Sequence, residues 1–291
     1  MGFPSPITSF HTSAYPAIDP TLATLSSKGK NIVITGGGAG IGSEIAKASA
    51  QSGAVSIALL GRTEKTLLAT KQTIEDESKA TTVRTYVADI TSAKDLDHSI
   101  SAHTKEFGKL HVLVANNGFL PLKQSIIESS LEEWYEGFEV NVKGNYNLVR
   151  ALLLHATADA AVLSINTVLA HMAYIPGMSS YLALTIATAK SFEYLHYEHP
   201  SLFVLSINPG SIKTAMNAKA VGSWEPYPYD NIDLPASFLV WAASNEAKFL
   251  NGKFVWAQWD VDELKKMADM IRGTENFTFG LLGWPKGRTT N

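Results

Sequence analysis

Short apolar runs alternate with longer amphipathic stretches from residue 31 onward. Apolar runs bounded by Gly, Pro or Asn are typical of buried strands, and a 3.6-residue apolar period is typical of helices. The predicted strands are Ile32–Thr35, Val55–Leu60, Thr82–Ala88, Leu110–Ala115, Ala160–Ile165, Leu202–Ile207 and Lys253–Trp256. The predicted helices are Ile41–Ser52, Glu64–Ser78, Ala93–Phe107, Leu131–Ala156, Ser180–His199 and Pro235–Ser244. Because parallel strands need helical crossovers, this alternation predicts one doubly wound α/β domain with a seven-stranded, mainly parallel sheet and helices on both faces.

The two ends of the chain and one internal segment depart from this pattern. Residues 1–30 are rich in Pro, Ser and Thr without periodicity, so we expect an extended N-terminal arm laid on a domain formed by residues 31–291. Residues 213–235 carry three aromatic side chains among Gly and Pro, namely Trp224, Tyr227 and Tyr229, and predict a mobile lid over a substrate. Residues 257–291 form a C-terminal tail.

Composition excludes several classes of protein. The 291 residues include 24 Lys and Arg against 27 Asp and Glu, which gives a formal net charge of −3 and no basic field for nucleic acid. There is no cysteine, so disulfides and cysteine-ligated metals are excluded. His196 and His199 have the spacing of metal ligands but no nearby third ligand, so we expect no metal site. With no targeting segment or membrane-length apolar stretch, the sequence predicts a cytoplasmic protein without nucleic-acid or membrane partners.

Candidate chemistry begins directly after the first predicted strand, where the sequence reads Thr35-Gly36-Gly37-Gly38-Ala39-Gly40-Ile41-Gly42 and opens into a helix. Ligands of doubly wound sheets bind at the C-terminal ends of the strands. Glycines allow a pyrophosphate to approach the backbone N–H groups at the positive end of the helix. The spacing G-x-x-x-G-x-G is a variant of the usual dinucleotide fingerprint.

This loop resembles the cofactor loop of the short-chain dehydrogenase/reductase family. Four further motifs resemble those of the family, in its order and at its spacings, between residue 31 and about residue 214. They are Asp89-Ile90, Asn116-Asn117-Gly118, the asparagine of Val140-Asn141-Val142, and Asn208-Pro209-Gly210-x-Ile212-x-Thr214. The resemblance implies a Rossmann-type fold and cofactor contacts from Thr35, Gly36, Gly40, Ile41, Gly42, Asp89, Ile90, Asn116, Gly118, Pro209, Gly210, Ile212 and Thr214. It also implies that Asn141 orders a catalytic water, and the arm and residues 256–264 resemble a fungal branch of the family often met in secondary metabolism.

Cofactor preference is indicated at the end of the second strand. An acidic residue there would bind an unphosphorylated ribose and repel a 2′-phosphate. Here Gly61 and Arg62 follow the strand. A guanidinium can bind phosphate through two hydrogen bonds, so the sequence favours NADP(H).

The catalytic residues expected from the resemblance are incomplete. Family members with redox activity carry a Tyr, a Lys four residues later and a Ser thirteen residues before the Tyr. Here Tyr181 is present, but Thr185 and Val168 occupy the other two positions. Thr167 precedes Val168, and the alternation of strand side chains argues against a simple exchange unless the strand end twists. Lys190 lies on the opposite face of the helix and cannot reach Tyr181.

A replacement acid or base is suggested by the loop after the fifth strand. His171 is placed there, beside Met172 and Tyr174, which could line a pocket. The candidate catalytic residues are therefore Tyr181, Asn141 and His171.

Three functions stay open from the sequence. The first is an NADP(H)-dependent oxidoreductase with an altered acid, and the second is a non-redox cyclase, isomerase or dehydratase. The third is a catalytically inactive NADP(H)-binding protein. Phe119, Leu120, Met172 and Trp224 suggest a bulky apolar small-molecule substrate. The predicted helices Leu131–Ala156 and Ser180–His199 carry surplus apolar surface, from which we expect a homodimer or homotetramer.

Overall fold

A seven-stranded sheet forms the centre of the chain in this computed structural model, which describes residues 5–171, 175–221 and 228–282. The strands are β1 Asn31–Thr35, β2 Ser56–Gly61, β3 Thr82–Val87, β4 Leu110–Ala115, β5 Ala156–Ile165, β6 Phe203–Asn208 and β7 Lys253–Trp256. All pairings are parallel, in the order β3-β2-β1-β4-β5-β6-β7. The predicted single-domain, doubly wound fold is confirmed, and the strand order reverses between β1 and β4.

Helices cover both faces of the sheet. In the described residues they are α1 Gly40–Gln51, α2 Glu64–Glu77, α3 Ala93–Phe107, α4 Leu131–Phe138, α5 Gly144–Leu153, α6 Ser179–Glu198, α7 Ala215–Val221, α8 Asp233–Ala242, α9 Val261–Lys266 and α10 Ala268–Ile271. Short 3₁₀ turns lie at Pro16–Ile18, Ala23–Leu25, Val168–Ala170 and Asn245–Leu250. The sequence pattern did not predict α7, α9 or α10, which are all short. Within the described residues no helix has the length and apolarity that crossing a membrane requires.

The helix predicted over residues 131–156 differs from the structure in two ways. A π-helical turn, Glu139–Lys143, interrupts it between α4 and α5. The helix also ends at Leu153, and β5 begins at Ala156 rather than Ala160. The apolar pattern does not predict the first residues of β5 because they are partly exposed. The register against β4 also shifts between Leu110 and Val112.

Alternating residues of the central strands face two separate cores. Ile32 and Ile34 of β1 pack in one core with residues of α1, α2 and α8. Val33 packs in the other with residues of α3, α5 and α6. Both faces of β1 are therefore buried, which is why the parallel strands are continuous apolar runs.

The N-terminal segment packs on the C-terminal part of the chain. The His11 N–H donates to the Gln258 carbonyl at 2.8 Å, and the Asn231 N–H donates to the Thr12 carbonyl at 2.7 Å. The Tyr15 hydroxyl accepts from the Val261 N–H at 2.9 Å. These bonds bring the arm beside the C-terminal end of β7.

Candidate active site

A cavity of about 820 Å³ lies along the C-terminal ends of the strands. It is bordered by the glycine-rich loop after β1, the loops after β2 to β6 and the segment after β7. Of the residues predicted to bind cofactor, those that line it are Thr35, Gly36, Gly40, Ile41, Arg62, Asp89, Ile90, Asn116, Gly118, Pro209, Gly210, Ile212 and Thr214. The topology therefore gathers motifs spread over 180 residues of sequence into one cleft.

Gly42 is the predicted cofactor residue that does not line this cavity. A Cβ atom built on Gly42 would lie 2.3 Å from the carbonyl oxygen of Gly36, so the residue lets the first turn of α1 pack against the loop. Gly36 and Gly40 have φ angles of +64° and +57°, a region that favours glycine. Gly42 thus shapes the loop, and the other two set its path around the start of α1.

The loop after β4 is bonded to the end of β1. The Thr35 hydroxyl accepts from the backbone N–H groups of Asn116 and Asn117 at 3.0 and 3.1 Å and donates to the Asn117 Oδ1 at 2.9 Å. The buried Asn117 Nδ2 has no hydrogen-bond partner in the described part of the chain. An unpaired buried donor in the wall of a glycine-lined cleft fits a polar ligand such as a dinucleotide.

Arg62 and Asp89 provide the charges on the β2–β3 side of the cavity. The Arg62 side chain is exposed and forms no salt bridge with a described carboxylate, although its charge helps to lower the pKa of Asp89. Asp89 accepts from the N–H and hydroxyl of Thr91, both at 2.8 Å, and these bonds lower its pKa below the ordinary value. A guanidinium is thus available to an anionic ligand at this end of the cleft.

Tyr181 lies in the first turn of α6 and lines the cavity. Burial raises the pKa of its phenol to about 12. Thr185, one turn further along, donates its hydroxyl to the Leu182 carbonyl at 3.0 Å. The first turns of α6 therefore contain no cation that would lower the pKa of Tyr181.

Val168 and Thr167 both line the cavity, contrary to the alternation expected of a strand. The strand ends at Ile165 and the chain turns into a 3₁₀ helix, so the alternation of strand side chains no longer applies to these two residues. Thr167 caps this turn by accepting from the Leu169 N–H at 3.3 Å. Val168 offers only a backbone N–H, which donates to the Asn208 Oδ1 at 3.0 Å.

Asn141 lies in the π-helical turn and holds the loop after β4. Its Oδ1 accepts from the Phe119 N–H at 2.8 Å, and its Nδ2 donates to the Phe119 carbonyl at 2.9 Å. Its own carbonyl accepts from Asn145 Nδ2 at 2.7 Å and from the Thr188 hydroxyl at 3.2 Å. Asn141 thus fixes the position of the loop after β4, and its role in ordering a catalytic water stays a prediction.

His171 is not among the described residues that line the cavity, and its role as an acid or base stays a prediction. Its ring packs against Phe254 and Trp256, and its Nε2 accepts from the Trp256 indole N–H at 3.0 Å. Burial lowers its pKa, which favours the neutral ring that this bond requires. The companions predicted for it, Met172 and Tyr174, lie outside the described residues.

Lys190 is held away from Tyr181, as its spacing along α6 predicts. Its Nζ donates to Glu193 Oε1 at 2.6 Å and to the Phe279 carbonyl at 3.0 Å. The lysine therefore links α6 to the C-terminal tail.

Sequence reasoning missed several residues of the cavity wall. Asp230, Gln258, Lys123, Phe10 and Thr12 line the cavity. Asp230 accepts from Ser211 N–H at 2.8 Å and from Gln258 Nε2 at 3.0 Å through the same oxygen, Oδ2. No local motif marks them, because contacts between distant segments bring them to the cleft. Of the predicted lid, Tyr229 lines the cavity, and Trp224 and Tyr227 lie outside the described residues.

Comparison with known proteins agrees with this arrangement. Residues 30–224 match the short chain dehydrogenase family. A short chain dehydrogenase/reductase of Claviceps purpurea is 33% identical over 284 residues, which cover 96% of this chain and 95% of that protein. The short chain dehydrogenase/reductase AacuD of Aspergillus aculeatus is 30% identical over 284 residues, covering 96% of this chain and 98% of that protein.

Solved structures share the fold. The oxidoreductase yciK from E. coli superposes with a TM-score of 0.74 at 23% identity, covering 84% of this chain and 98% of that one. A short chain dehydrogenase from Burkholderia cenocepacia, in complex with NADP, has a TM-score of 0.71 at 24% identity and covers 81% of this chain and 99% of that one. With its parallel sheet, its glycine-lined cleft and relatives that match nearly its whole length, the chain belongs to the short-chain dehydrogenase/reductase family.

Proposed function

We propose that this protein is an NADP(H)-dependent reductase of bulky, largely apolar carbonyl compounds, with Tyr181 as the proton donor. The observation that carries the proposal is that the Tyr181 side chain and the glycine-rich loop line one continuous cavity. A proton donor and a dinucleotide site in one cleft are the two elements that carbonyl reduction needs. The family supports an oxidoreductase, and the NADP preference and the substrate class are our inference.

The residues of the cleft fit the cofactor. The N-terminal turn of α1 with Gly36 and Gly40 would hold the pyrophosphate, and Arg62 would bind the 2′-phosphate. Pro209 to Thr214 would border the nicotinamide. When bound, the cofactor supplies a hydride to the substrate carbonyl carbon.

Tyr181 is suited to donate a proton rather than to remove one. With a pKa of about 12, only about one molecule in 10⁵ carries tyrosinate at pH 7. The protonated phenol can donate to a carbonyl oxygen as negative charge develops there, whereas alcohol oxidation needs the scarce phenolate. At neutral pH the protonated phenol that reduction needs is therefore the abundant form.

The residues at the positions of the family's Ser and Lys do not stabilise the negative charge that develops during reduction. Thr185 uses its hydroxyl within its own helix, and Val168 presents an apolar side chain. Losing one hydrogen-bond donor to a developing oxyanion typically lowers the rate about 10²–10³-fold. We therefore expect slow turnover compared with members that keep both residues.

A second candidate, a non-redox cyclase, isomerase or dehydratase, is favoured by these same two substitutions. An apolar Val168 and an uncharged, buried Thr185 suit a pocket in which shape and positioning carry the rate. In that case the cofactor would stay bound without changing its oxidation state.

The double variant Val168→Ser plus Thr185→Lys distinguishes the two candidates. Under the proposal, NADPH consumption with bicyclic ketones should be kept or rise, because the new groups stabilise the alkoxide and the phenolate. Under the non-redox candidate, native turnover should fall. Leu68→Lys combined with Val168→Ser is the control, because Leu68 is exposed on α2 and places the charge away from the cavity.

Cofactor titration separates both candidates from an inactive binding protein. The proposal expects NADPH to bind and to be consumed only when a ketone is present. Tight NADPH binding without turnover of any ketone or other substrate would favour the inactive protein.

A further inference from the structure

A carboxylate lies in the cavity wall outside the predicted catalytic residues. Asp230 lines the cavity from the loop that precedes α8. Only one of its oxygens is used by the protein, since Oδ2 accepts from both the Ser211 N–H and the Gln258 side chain. No described residue bonds Oδ1, which leaves one strong acceptor for a ligand.

A chain of amide groups fixes this carboxylate. Asn208 Nδ2 donates to Gln258 Oε1 at 3.3 Å, and Gln258 Nε2 donates to Asp230 Oδ2 at 3.0 Å. Asp230 also lies close to Gly210, where a Cβ atom would be 2.4 Å from Oδ2. Gly210 has a φ of +94°, so the loop after β6 is shaped to admit the carboxylate.

The apolar part of the same wall is aromatic. Phe10 of the arm and Trp256 at the end of β7 both line the cavity, with ring centroids 6.1 Å apart in an edge-to-face arrangement. The Trp256 indole N–H is bonded to His171, which fixes the orientation of this ring. A flat ring system packs well against such surfaces, and a hydroxyl on it could reach a nearby acceptor.

We propose that Asp230, Phe10 and Trp256 form a recognition subsite for a hydroxylated aromatic ring, whose hydroxyl donates to Asp230 Oδ1. The inference rests on the proposed function, because it names the substrate class of the same cavity. Asp230 acts here as a specificity-determining residue. The subsite disfavours anionic substituents at this position, since two carboxylates would repel.

Three probes with one bicyclic body test the subsite: 6-hydroxy-1-tetralone, its 6-methoxy ether and the 6-carboxylate. Their binding to the NADP⁺-saturated protein is measured by calorimetry, with ligand-observed NMR for weak binding. The hydroxy probe should bind about tenfold more tightly than the ether, the value of one hydrogen bond to a charged group. The carboxylate should bind least.

Asp230→Asn is the informative variant because it keeps the shape of the wall. The Ser211 N–H and Gln258 Nε2 both donate to the Oδ2 position. In the variant, the amide oxygen should therefore occupy the Oδ2 position, and the amide NH₂ should occupy the Oδ1 position. An acceptor then becomes a donor, and the preference for hydroxyl over ether should vanish. Asp269→Asn removes the same charge from an exposed residue of α10 and should keep the tenfold preference.

The result that overturns the inference is a wild-type protein that binds the hydroxy probe no better than the ether, or not at all at millimolar concentration. A preference that survives in Asp230→Asn also overturns it. These outcomes are distinct from failure of the proposed function, which would appear as no NADP⁺ binding, or as binding of the probe without its reduction when NADPH is supplied.

Discussion

At the residue scale, the phenol of Tyr181 is the proposed proton donor in carbonyl reduction. Burial raises its pKa to about 12, so the proton to be donated is present throughout the neutral range. We predict that the rate of ketone reduction stays level from pH 6 to pH 9 as far as Tyr181 is concerned, and declines only as the pH approaches about 12. Tyr181→Phe should lower kcat by about 10²–10⁴.

Stopped-flow measurement of NADPH consumption over this pH range tests that prediction. Tyr194→Phe is the matched control, since Tyr194 is an exposed tyrosine of the same helix. A rate that declines with an apparent pKa near 7 to 9 and is unchanged in Tyr181→Phe would show that another group donates the proton.

Arg62 carries the predicted preference for NADP(H). Arg62→Ala should weaken NADPH binding by about 10–100-fold, the value of a charge-assisted hydrogen bond, and leave NADH binding nearly unchanged. Calorimetric titration of both cofactors measures this, with Lys65→Ala as control, because Lys65 is an exposed cation that does not line the cavity. Equal affinities for the two cofactors in the unmodified protein would contradict the preference.

At the scale of elements, the sequence predicts what depends on local pattern. The strands and the longer helices follow from apolar periodicity, and short motifs identify many of the residues that line the cleft. The π-helical turn at Glu139–Lys143 cannot be predicted from a local pattern. It is stabilised by Asn141, whose partners Phe119 and Thr188 lie in other segments. Asp230 likewise reaches the cavity through Gln258, 28 residues away, and no local pattern reports such a contact.

One junction between elements gives a pH-dependent stability. His103 of α3 is fully buried, and its Nε2 lies 3.0 Å from the Ser56 hydroxyl of β2, which in turn donates to Asn31 of β1. Burial lowers the pKa of His103 from 6.5 to about 4. As the pH falls from about 6.5 to 4, the unfolded chain binds a proton that the folded state resists, so stability decreases by up to about 3 kcal/mol.

Urea unfolding at a series of pH values tests this junction. In His103→Gln, the free energy of unfolding should change less between pH 6.5 and pH 4 than in the parent. His98 is an exposed histidine of the same helix, and His98→Gln should keep the pH dependence of the parent. If the free energy of unfolding changes with pH equally in the parent and in His103→Gln, other groups cause the loss of stability.

At the scale of the whole molecule, apolar side chains remain exposed along α4, α5 and α6. They are Leu131, Tyr135, Tyr146, Ile186, Tyr194 and Tyr197. Exposed apolar side chains on neighbouring helices are typical of a subunit interface. We predict a homodimer or homotetramer, to be measured by light scattering at micromolar concentration.

Tyr146→Asp combined with Tyr194→Asp should convert the assembly to monomers, because each places an unpaired charge in the expected interface. Leu68→Asp, on the exposed side of α2, should keep the parent assembly. A parent protein that scatters only as a single chain would contradict the prediction.

Transfer of deuterium from NADPH labelled at the transferred nicotinamide C4 position shows whether this protein is a reductase. A bicyclic ketone such as 6-hydroxy-1-tetralone is incubated with the labelled cofactor and the protein, and the product is examined by mass spectrometry. We predict an alcohol that carries one deuterium, formed in step with oxidised cofactor and suppressed by Tyr181→Phe. A product that forms without deuterium and without cofactor oxidation would contradict it and favour the non-redox candidate.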